Sequence, residues 1–282
     1  MKIRQPSQAG AFYQGSANTL RQQLEWCFKH KFGPGKLPEV KNGPKKILAL
    51  VCPHAGYMYS GPVAAHSYYN LALDGKPDII VILGPNHTGM GSGVSLMSEG
   101  AWNMPLGNVN VNSEIADKIW KASKIIDLDD EAHLYEHSIE VQLPFLQYIY
   151  GSDFKFVPIA MLMQDLQTSR MVGNAIAEVL SGKNAVIIAS SDMTHYEPQE
   201  YAEKKDKMVA DTILNLDEEK LQSTVDSQGI TMCGPGPVTA AITAAKKLGA
   251  TKAKMLCYKT SGDITGDYSR VVGYLAAAIS RT

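Results

Sequence analysis

The stretch that decides the fold is Val51-Cys52-Pro53-His54-Ala55-Gly56-Tyr57, in which a histidine follows an apolar run. The run, Ile47 to Val51, has the composition of a buried β-strand, and His54 lies in the turn just past its carboxyl end. Open α/β sheets bind their ligands outside this edge of the sheet. The stretch therefore predicts an α/β fold with a functional site at His54.

The same arrangement occurs twice more along the chain. Residues 78–83 (DIIVIL) are strand-like, and His87 comes four residues later. Residues 184–189 (NAVIIA) form a third apolar run, and a polar turn with Asp192 and His195 follows it. Because the carboxyl ends of parallel strands meet at one edge of a sheet, we expect the three histidines to converge on one site.

The composition is that of an ordinary globular protein and argues against several classes of function. The 282 residues carry a net charge of −1, so no overall basic excess indicates nucleic-acid binding. The longest nearly uncharged apolar stretch near the end, 271–279, is too short to span a bilayer. The start has no apolar signal segment, and the four widely spaced cysteines indicate free thiols. We expect a soluble cytoplasmic protein that binds neither nucleic acid nor membranes.

Apolar spacing predicts alternating helices and strands. Helices are predicted at 16–32, 61–73, 113–123, 138–150, 164–180, 201–214, 217–229 and 238–248. Strands are predicted at 47–51, 78–83, 154–161, 184–189, 254–259 and 270–279, with a loop at 261–268. Neither a repeat nor a linker interrupts this pattern. We therefore predict a single α/β domain over residues 1–282, with a central mixed, largely parallel sheet flanked by helices.

His54, His87 and Cys233 are candidate metal ligands. A metal site needs deprotonatable nitrogen or sulfur donors on rigid elements, and a catalytic site keeps one coordination position open. Cys233 precedes the helix predicted at 238–248, and a helix amino terminus stabilises a thiolate. Alternatively, the histidines hydrogen-bond the turns and Cys233 is a small packed residue. Cys52, two residues before His54, is interpreted as a core thiol.

Asp192 and His195 are candidates for acid–base chemistry. An aspartate three residues before a histidine could fix the tautomer of the imidazole and raise its basicity. In the alternative interpretation, Asp192 caps the next helix and His195 is merely exposed. Ser190 and Ser191 raise the idea of a serine hydrolase, which is not favoured because no G-x-S-x-G elbow is present.

His133, His137 and Glu140 form a third polar group. The two histidines are four residues apart and Glu140 follows His137 by three, so all three could share one helix face. One interpretation is a supporting role, in which the carboxylate hydrogen-bonds a ligand histidine. The other is helix capping and packing. His66 does not follow a strand and is interpreted as a packing histidine.

Five short blocks together resemble the Memo family (mediator of cell motility). They are Cys52-Pro53-His54-Ala55-Gly56-Tyr57, Ile82-Leu83-Gly84-Pro85-Asn86-His87, Glu136-His137-Ser138-Ile139-Glu140, Ser190-Ser191-Asp192-Met193-Thr194-His195 and Cys233-Gly234. The blocks appear in the family's order. The resemblance begins at the arm Ala9-Gly10-Ala11-Phe12-Tyr13 and covers nearly the whole chain.

The resemblance implies a fold similar to that of the class III extradiol dioxygenases, which are non-haem iron enzymes. It implies that His54, His87 and Cys233 bind Fe(II), with copper or zinc as further candidates. It also implies that His195 is the acid/base residue and that Asp192 lines the same pocket. A cysteine where those enzymes place a carboxylate makes the site softer and argues against ring cleavage.

The resemblance also bears on partners. Animal members of the family are linked to iron or copper binding, redox chemistry and phosphotyrosine-peptide recognition. Prokaryotic members are often found beside genes for a radical-SAM protein and an AMMECR-type protein. An association with proteins of these two kinds is therefore an expectation for this chain.

Two functions are expected from these observations. The first is a non-haem iron (or copper) dependent oxidoreductase-like activity on an unknown small substrate, with His137 and Glu140 supporting the ligand histidines. The second is a non-catalytic module that binds a phosphopeptide or other anionic ligand through the histidines and the backbone N–H groups of residues 234–237. A purely structural zinc site is less favoured, because such sites use four ligands at short spacings.

Overall fold

Helices and strands alternate along residues 2–282, which the computed structural model describes. The strands are β1 (Ile3–Arg4), β2 (Ile47–Cys52), β3 (Ile79–Pro85), β4 (Val94–Leu96), β5 (Ala101–Met104), β6 (Gly107–Val111), β7 (Asp127–Leu128), β8 (Lys155–Met161), β9 (Ala185–Ser190), β10 (His195–Glu197), β11 (Lys252–Thr260) and β12 (Val271–Ser280). The α-helices are α1 (Ala17–Lys29), α2 (Tyr57–Asp74), α3 (Ser113–Ala122), α4 (Leu143–Tyr150), α5 (Leu166–Leu180), α6 (Gln199–Leu214), α7 (Glu218–Ser227), α8 (Pro235–Lys247) and α9 (Ser261–Thr265). Two 3-10 helices, Glu131–His133 and Glu140–Gln142, precede α4.

These strands form one mixed sheet whose centre is parallel. The order is β1-β5-β6-β8-β3-β9-β2-β12-β10, with β11 paired to β12 and β4 paired to β7 and β8. From β6 to β2, neighbouring strands are parallel, whereas β12 is antiparallel to β2, β10 and β11. The predicted mixed, largely parallel α/β fold is confirmed.

Two crossover connections place helices on both faces of the sheet. The chain passes from β2 through α2 to β3, and later from β8 through α5 to β9, in opposite directions across the sheet. Because such crossovers are right-handed, α2 and α5 lie on opposite faces. Helices α1 and α4 pack with α2, and α3 and α8 pack with α5.

The central strands are continuously apolar because both of their faces are covered. Every residue of β3 and β9 is buried, and so is every residue of β2 after Ile47. The polar side chains of the site come after the apolar residues of each strand, where the chain leaves the core. The site therefore begins where the apolar runs end. Within the described chain, every helix is too short or too polar to span a lipid bilayer.

Most predicted elements are present, with three differences at helices. The helix expected at 61–73 begins earlier, at Tyr57. The helix expected at 138–150 is divided into a 3-10 helix and α4, because Pro144 lies in the first turn of α4 and has no N–H to extend a helix before it. The predicted loop at 261–268 contains α9, which Thr260 and Asp263 cap reciprocally.

Candidate metal centre

Three neighbouring strands bring the site residues together. His54 follows β2, His87 follows β3 and Asp192 follows β9, and β9 lies between the other two strands. The connections after β2 and after β8 cross the sheet in opposite directions, which makes this edge a topological switch point. The expected convergence of the strand ends is confirmed, since His54, His87 and His195 line one cavity.

This cavity has a volume of about 740 Å³ and a lining of two chemical kinds. The titratable side chains in the lining include His54, His87, His137, Asp192 and His195. Aromatic side chains and a cation also line it, namely Phe12, Tyr59, Tyr196, Tyr274 and Arg270. The two kinds are adjacent, since the ring of Phe12 packs 4.8 Å from that of His137 and the ring of Tyr196 lies 5.7 Å from that of His195. The cavity therefore offers both reactive groups and surfaces that can contact the body of a ligand.

His54, His87 and Cys233 offer one donor atom each, and all three donors lie within 4.8 Å of one another. His54 Nε2 is 3.1 Å from Cys233 Sγ. The Nδ1 atoms are already engaged: His54 Nδ1 is 2.9 Å from Ser190 Oγ, and His87 Nδ1 is 2.9 Å from Glu136 Oε1. Each imidazole therefore keeps Nε2 for a metal, which is the usual arrangement of metal-binding histidines. Two nitrogens and one sulfur fit iron, copper or zinc.

Cys233 lies just before α8, whose N-cap is Gly234. The backbone N–H of Asp192 donates to Cys233 Sγ at 3.1 Å. Burial nevertheless raises the pKa of the Cys233 thiol, and the carboxyl group of Asp192 raises it further. The expected thiolate stabilisation by the helix terminus is therefore outweighed by desolvation. A cation bound to the sulfur would supply the positive charge that favours the thiolate.

Glu136 lies next to both His87 and His137. Its buried carboxylate accepts hydrogen bonds from His87 Nδ1 at 2.9 Å and from the backbone N–H of Ser138 at 2.7 Å, and it lies 3.4 Å from His137 Nδ1. Burial opposes ionisation, but the hydrogen bond and charge of His87 outweigh it and lower the pKa of Glu136 to about 2. The ring of His137 stacks on that of His87 at 4.6 Å. Sequence reasoning missed Glu136 although it stands next to His137.

Glu140 does not hydrogen-bond a candidate ligand histidine, so the role expected for it was wrong. Its carboxylate accepts from Arg4 Nη1 at 2.5 Å and from Tyr13 Oη at 2.6 Å, and it also receives backbone N–H groups of the N-terminal arm. The reason is local: His137 lies outside any helix, before the 3-10 helix that begins at Glu140, so helical spacing does not relate the two residues. Glu140 instead anchors the arm that carries Phe12, whose ring packs 4.8 Å from His137.

Two further histidines, His133 and His66, have separate environments. His133 is fully buried away from the cavity, with Nε2 3.2 Å from the carbonyl oxygen of Ser95, so it shares no helix face with His137. His66 Nε2 is 2.9 Å from the carbonyl oxygen of Phe32, which confirms its interpretation as a packing histidine.

Asp192 contacts His54 rather than His195. Its Oδ1 atom accepts from the backbone N–H of His54 at 2.8 Å, and burial raises the pKa of Asp192 to about 6. His195 Nδ1 lies 2.8 Å from the carbonyl oxygen of Thr231. A carbonyl only accepts, so Nδ1 carries the proton and Nε2 of the neutral ring is free. The expectation that Asp192 fixes the tautomer of His195 was wrong. Strand β10, which begins at His195, pairs with β12, and the ring of His195 contacts Thr231 instead.

Ser190 and Ser191 are both fully buried at the end of β9 and do not form a nucleophile elbow. Ser190 Oγ contacts His54, whereas Ser191 Oγ accepts from the backbone N–H of Gly234 at 2.9 Å. Cys52 is buried at the end of β2 and desolvation raises its pKa to about 12, which confirms its interpretation as a core thiol. Both serines therefore support the candidate ligands.

Comparisons with known proteins identify the family. The family described as Memo-like protein matches residues 4–278. The chain is 52% identical over 280 residues to a MEMO1 family protein of Methanopyrus kandleri, covering 99% of both chains. It is also 52% identical over 286 residues to a MEMO1 family protein of Methanocaldococcus jannaschii, again covering 99% of both. A solved uncharacterized protein of Escherichia coli K12 shares the fold, with 15% identity and a TM-score of 0.59 over 82% of this chain and 99% of that one. This chain belongs to the Memo-like protein family.

Proposed function

We propose that this protein binds a metal ion, preferably Fe(II) or alternatively copper, through His54, His87 and Cys233 and acts as an oxidoreductase on a small substrate. The observation that carries the proposal is the donor set itself. Its three donors lie within 4.8 Å, and each imidazole has its Nδ1 held by a partner. Titratable groups that have shifted pKa values and cluster in a cleft are candidates for a functional site.

When bound, such a metal supplies a redox-active Lewis acid with open coordination positions. His195 lines the cavity and is suited to moving protons, because the carbonyl oxygen of Thr231 holds Nδ1 and leaves Nε2 available for proton transfer. Asp192 accepts a hydrogen bond from the backbone N–H of His54 and so fixes the turn that carries this candidate metal ligand. The carboxylate of Glu136 orients the ring of His87 by accepting a hydrogen bond from its Nδ1 atom.

The cavity supports a small or extended substrate with an apolar body. Tyr59, Tyr196 and Tyr274 line the same cavity as the histidines, and their rings offer flat contact surfaces. Tyr196 is 65% exposed and has a positive φ of 61°, which an aromatic residue rarely adopts. Strain of this kind is concentrated at functional sites, so it supports a ligand-contacting role for Tyr196.

A second candidate function is a non-catalytic module that binds an anionic ligand in the same cavity. The observation that favours it is Arg270, which lines the cavity, is exposed, and has no acidic side chain within ion-pair distance among residues 2–282. Its guanidinium group lies 5.7 Å from the ring centroid of Tyr196. A phosphate or carboxylate group on a ligand would find a free cation there.

Elemental analysis of protein purified without oxygen tests the first proposal, with wild type beside Cys233→Ala. The proposal expects near-stoichiometric iron or copper in the wild type and its loss in Cys233→Ala. Cys257→Ala is a matched control, since that thiol contacts the carbonyl oxygen of Phe32 rather than a histidine. Absence of metal from the wild type, even after anaerobic loading with Fe(II), would refute the proposal.

A further inference from the structure

We infer that Ser190 and Gln142 are positioning residues that fix His54 in one tautomer, with the proton on Nδ1 and the lone pair of Nε2 directed at Cys233. The inference rests on the proposed metal site for its functional meaning. Its structural content can be tested on the metal-free protein alone.

The hydroxyl group of Ser190 has three partners. They are the carbonyl oxygen of Ser138 at 2.6 Å, Nε2 of Gln142 at 2.8 Å and Nδ1 of His54 at 2.9 Å. A hydroxyl group has one proton to donate and two lone pairs that accept. Because a carbonyl oxygen only accepts, the proton of Ser190 goes to Ser138. Both remaining partners must therefore donate to Ser190.

The orientation of the Gln142 amide agrees with this assignment. Its Nε2 atom also lies 3.1 Å from the carbonyl oxygen of Pro53, and its Oε1 atom accepts from the hydroxyl group of Tyr68. A reversed amide would place Oε1 against the Pro53 carbonyl, where two acceptors would face each other. Gln142 is therefore a donor to Ser190 and occupies one of its two lone pairs.

His54 must then donate from Nδ1, since Ser190 has no second proton to offer. The ring, Ser190 and Gln142 are all buried, so bulk water does not compete for these bonds. The unprotonated Nε2 atom consequently faces Cys233 Sγ at 3.1 Å, and the thiol proton has an acceptor there. A metal ion can replace that proton without first removing one from the imidazole.

The two candidate ligand histidines are held by different chemistry. His87 donates from Nδ1 to the carboxylate of Glu136, whereas His54 donates to the neutral hydroxyl of Ser190. A carboxylate partner makes an imidazole a stronger donor than a hydroxyl partner does. Ser190 therefore orients His54 without adding negative charge next to Cys233 and Asp192.

Nitrogen-15 NMR of the histidine rings in metal-free protein, at mildly alkaline pH, tests the inference. The His54 signals are assigned by their loss in His54→Gln. In the wild type, Nδ1 of His54 is expected to be the protonated nitrogen. In Ser190→Ala the single tautomer is expected to be lost, through exchange or reversal. Ser67→Ala is the matched control, because this buried serine hydroxyl donates to the Val51 carbonyl and does not contact His54.

A wild-type ring protonated on Nε2 would overturn the inference without any variant, and so would an unchanged tautomer in Ser190→Ala. Titration with Co(II) as the probe metal adds the functional readout. The affinity is expected to fall about 10–100-fold in Ser190→Ala and to stay near wild type in Ser67→Ala. Equal Co(II) affinity in Ser190→Ala and wild type would refute the positioning role. If the wild type binds no Co(II), the proposed metal function fails, whereas the tautomer measurement still decides the inference.

Discussion

His87 Nδ1 lies 2.9 Å from Glu136 Oε1, and the same carboxylate is 3.4 Å from Nδ1 of His137. One buried acid therefore hydrogen-bonds a candidate ligand and lies close to the ring stacked on it. The contact between His87 and Glu136 connects the turn after β3 with the segment before α4, which are far apart in sequence. Backbone N–H groups of His87 and Ser138 also donate to this carboxylate, so hydrogen bonds and the two histidines together favour its ionised form.

Replacing Glu136 by glutamine should weaken metal binding without unfolding the protein. Glutamine keeps the shape of the side chain but removes the negative charge that orients His87 and makes it a better donor. The affinity for Co(II), measured by titration of metal-free protein, should fall about 10–100-fold. Glu99→Gln, at an exposed position, is the control and should bind as the wild type does. Wild-type affinity in Glu136→Gln would show that this carboxylate has no part in metal binding.

Strand β1 should contribute strongly to stability through Arg4. Its guanidinium group contacts Glu140 at 2.5 Å in a fully buried ion pair and lies 4.0 Å from the ring centroid of Trp102. Removing one partner leaves the other charge buried and unpaired, which typically costs about 3–5 kcal/mol. Urea unfolding of Arg4→Ala should show a loss of this size.

A surface ion pair just before β1 provides the comparison for Arg4. Lys2 contacts Asp130 at 2.7 Å, and both side chains are accessible to solvent. Exposed pairs contribute about 0–1 kcal/mol, so Lys2→Ala should unfold at nearly the wild-type urea concentration. Equal losses in the Lys2 and Arg4 variants would contradict the view that burial makes the Arg4 pair important.

Stability should fall on mild acidification because His133 is buried as a neutral ring. Burial, together with the nearby charge of Arg4, lowers the pKa of His133 to about 4. In the unfolded chain a histidine has a pKa of about 6.5, so between about pH 6.5 and pH 4 the unfolded state binds a proton that the folded state does not. Stability is therefore lost as the pH falls through this window, by about 3 kcal/mol for a shift of this size.

Urea unfolding of metal-free protein near neutral pH and near pH 4 measures this effect. His133→Gln should reduce the stability difference between the two conditions, because the variant has no ring to protonate in the unfolded state. The difference does not vanish, since burial also lowers the pKa values of His54 and His137. His30→Gln, at a partly exposed position, should keep most of the wild-type difference. A difference unchanged by His133→Gln would disprove the assignment.

The sequence predicts the central fold well because its strongest signals are local. Continuous apolar runs identify β2, β3 and β9, and the polar residues just after them identify the site edge. The short strands β4 to β7 and the helix α9 lack such runs, and tertiary pairing or capping decides them. Thr260 and Asp263, for example, cap α9 in a stretch that the sequence predicts to be a loop.

The supporting contacts of the site were harder to predict because they depend on segments distant in sequence. Thr231 meets His195 across 36 positions, and Arg4 meets Glu140 across 136. Spacing rules assumed one helix through His137 and Glu140, whereas His137 lies outside any helix and Glu140 begins a short 3-10 helix. Donor types could therefore be predicted from sequence, but the partner that orients each donor could not.

Arg270 separates the two proposed functions, because it lines the cavity but is not one of the candidate metal ligands. If the cavity binds an anionic ligand, Arg270→Gln should weaken the binding of phosphotyrosine roughly 10–100-fold, which corresponds to the loss of one charge-assisted hydrogen bond. Isothermal titration with wild type and variant measures this change. Arg281→Gln, at the exposed end of the chain, is the control. Co(II) binding should be unaffected in both variants, so a loss of metal affinity in Arg270→Gln would reveal a structural defect. Equal phosphotyrosine affinity in Arg270→Gln and wild type would contradict a role for Arg270 in anion recognition.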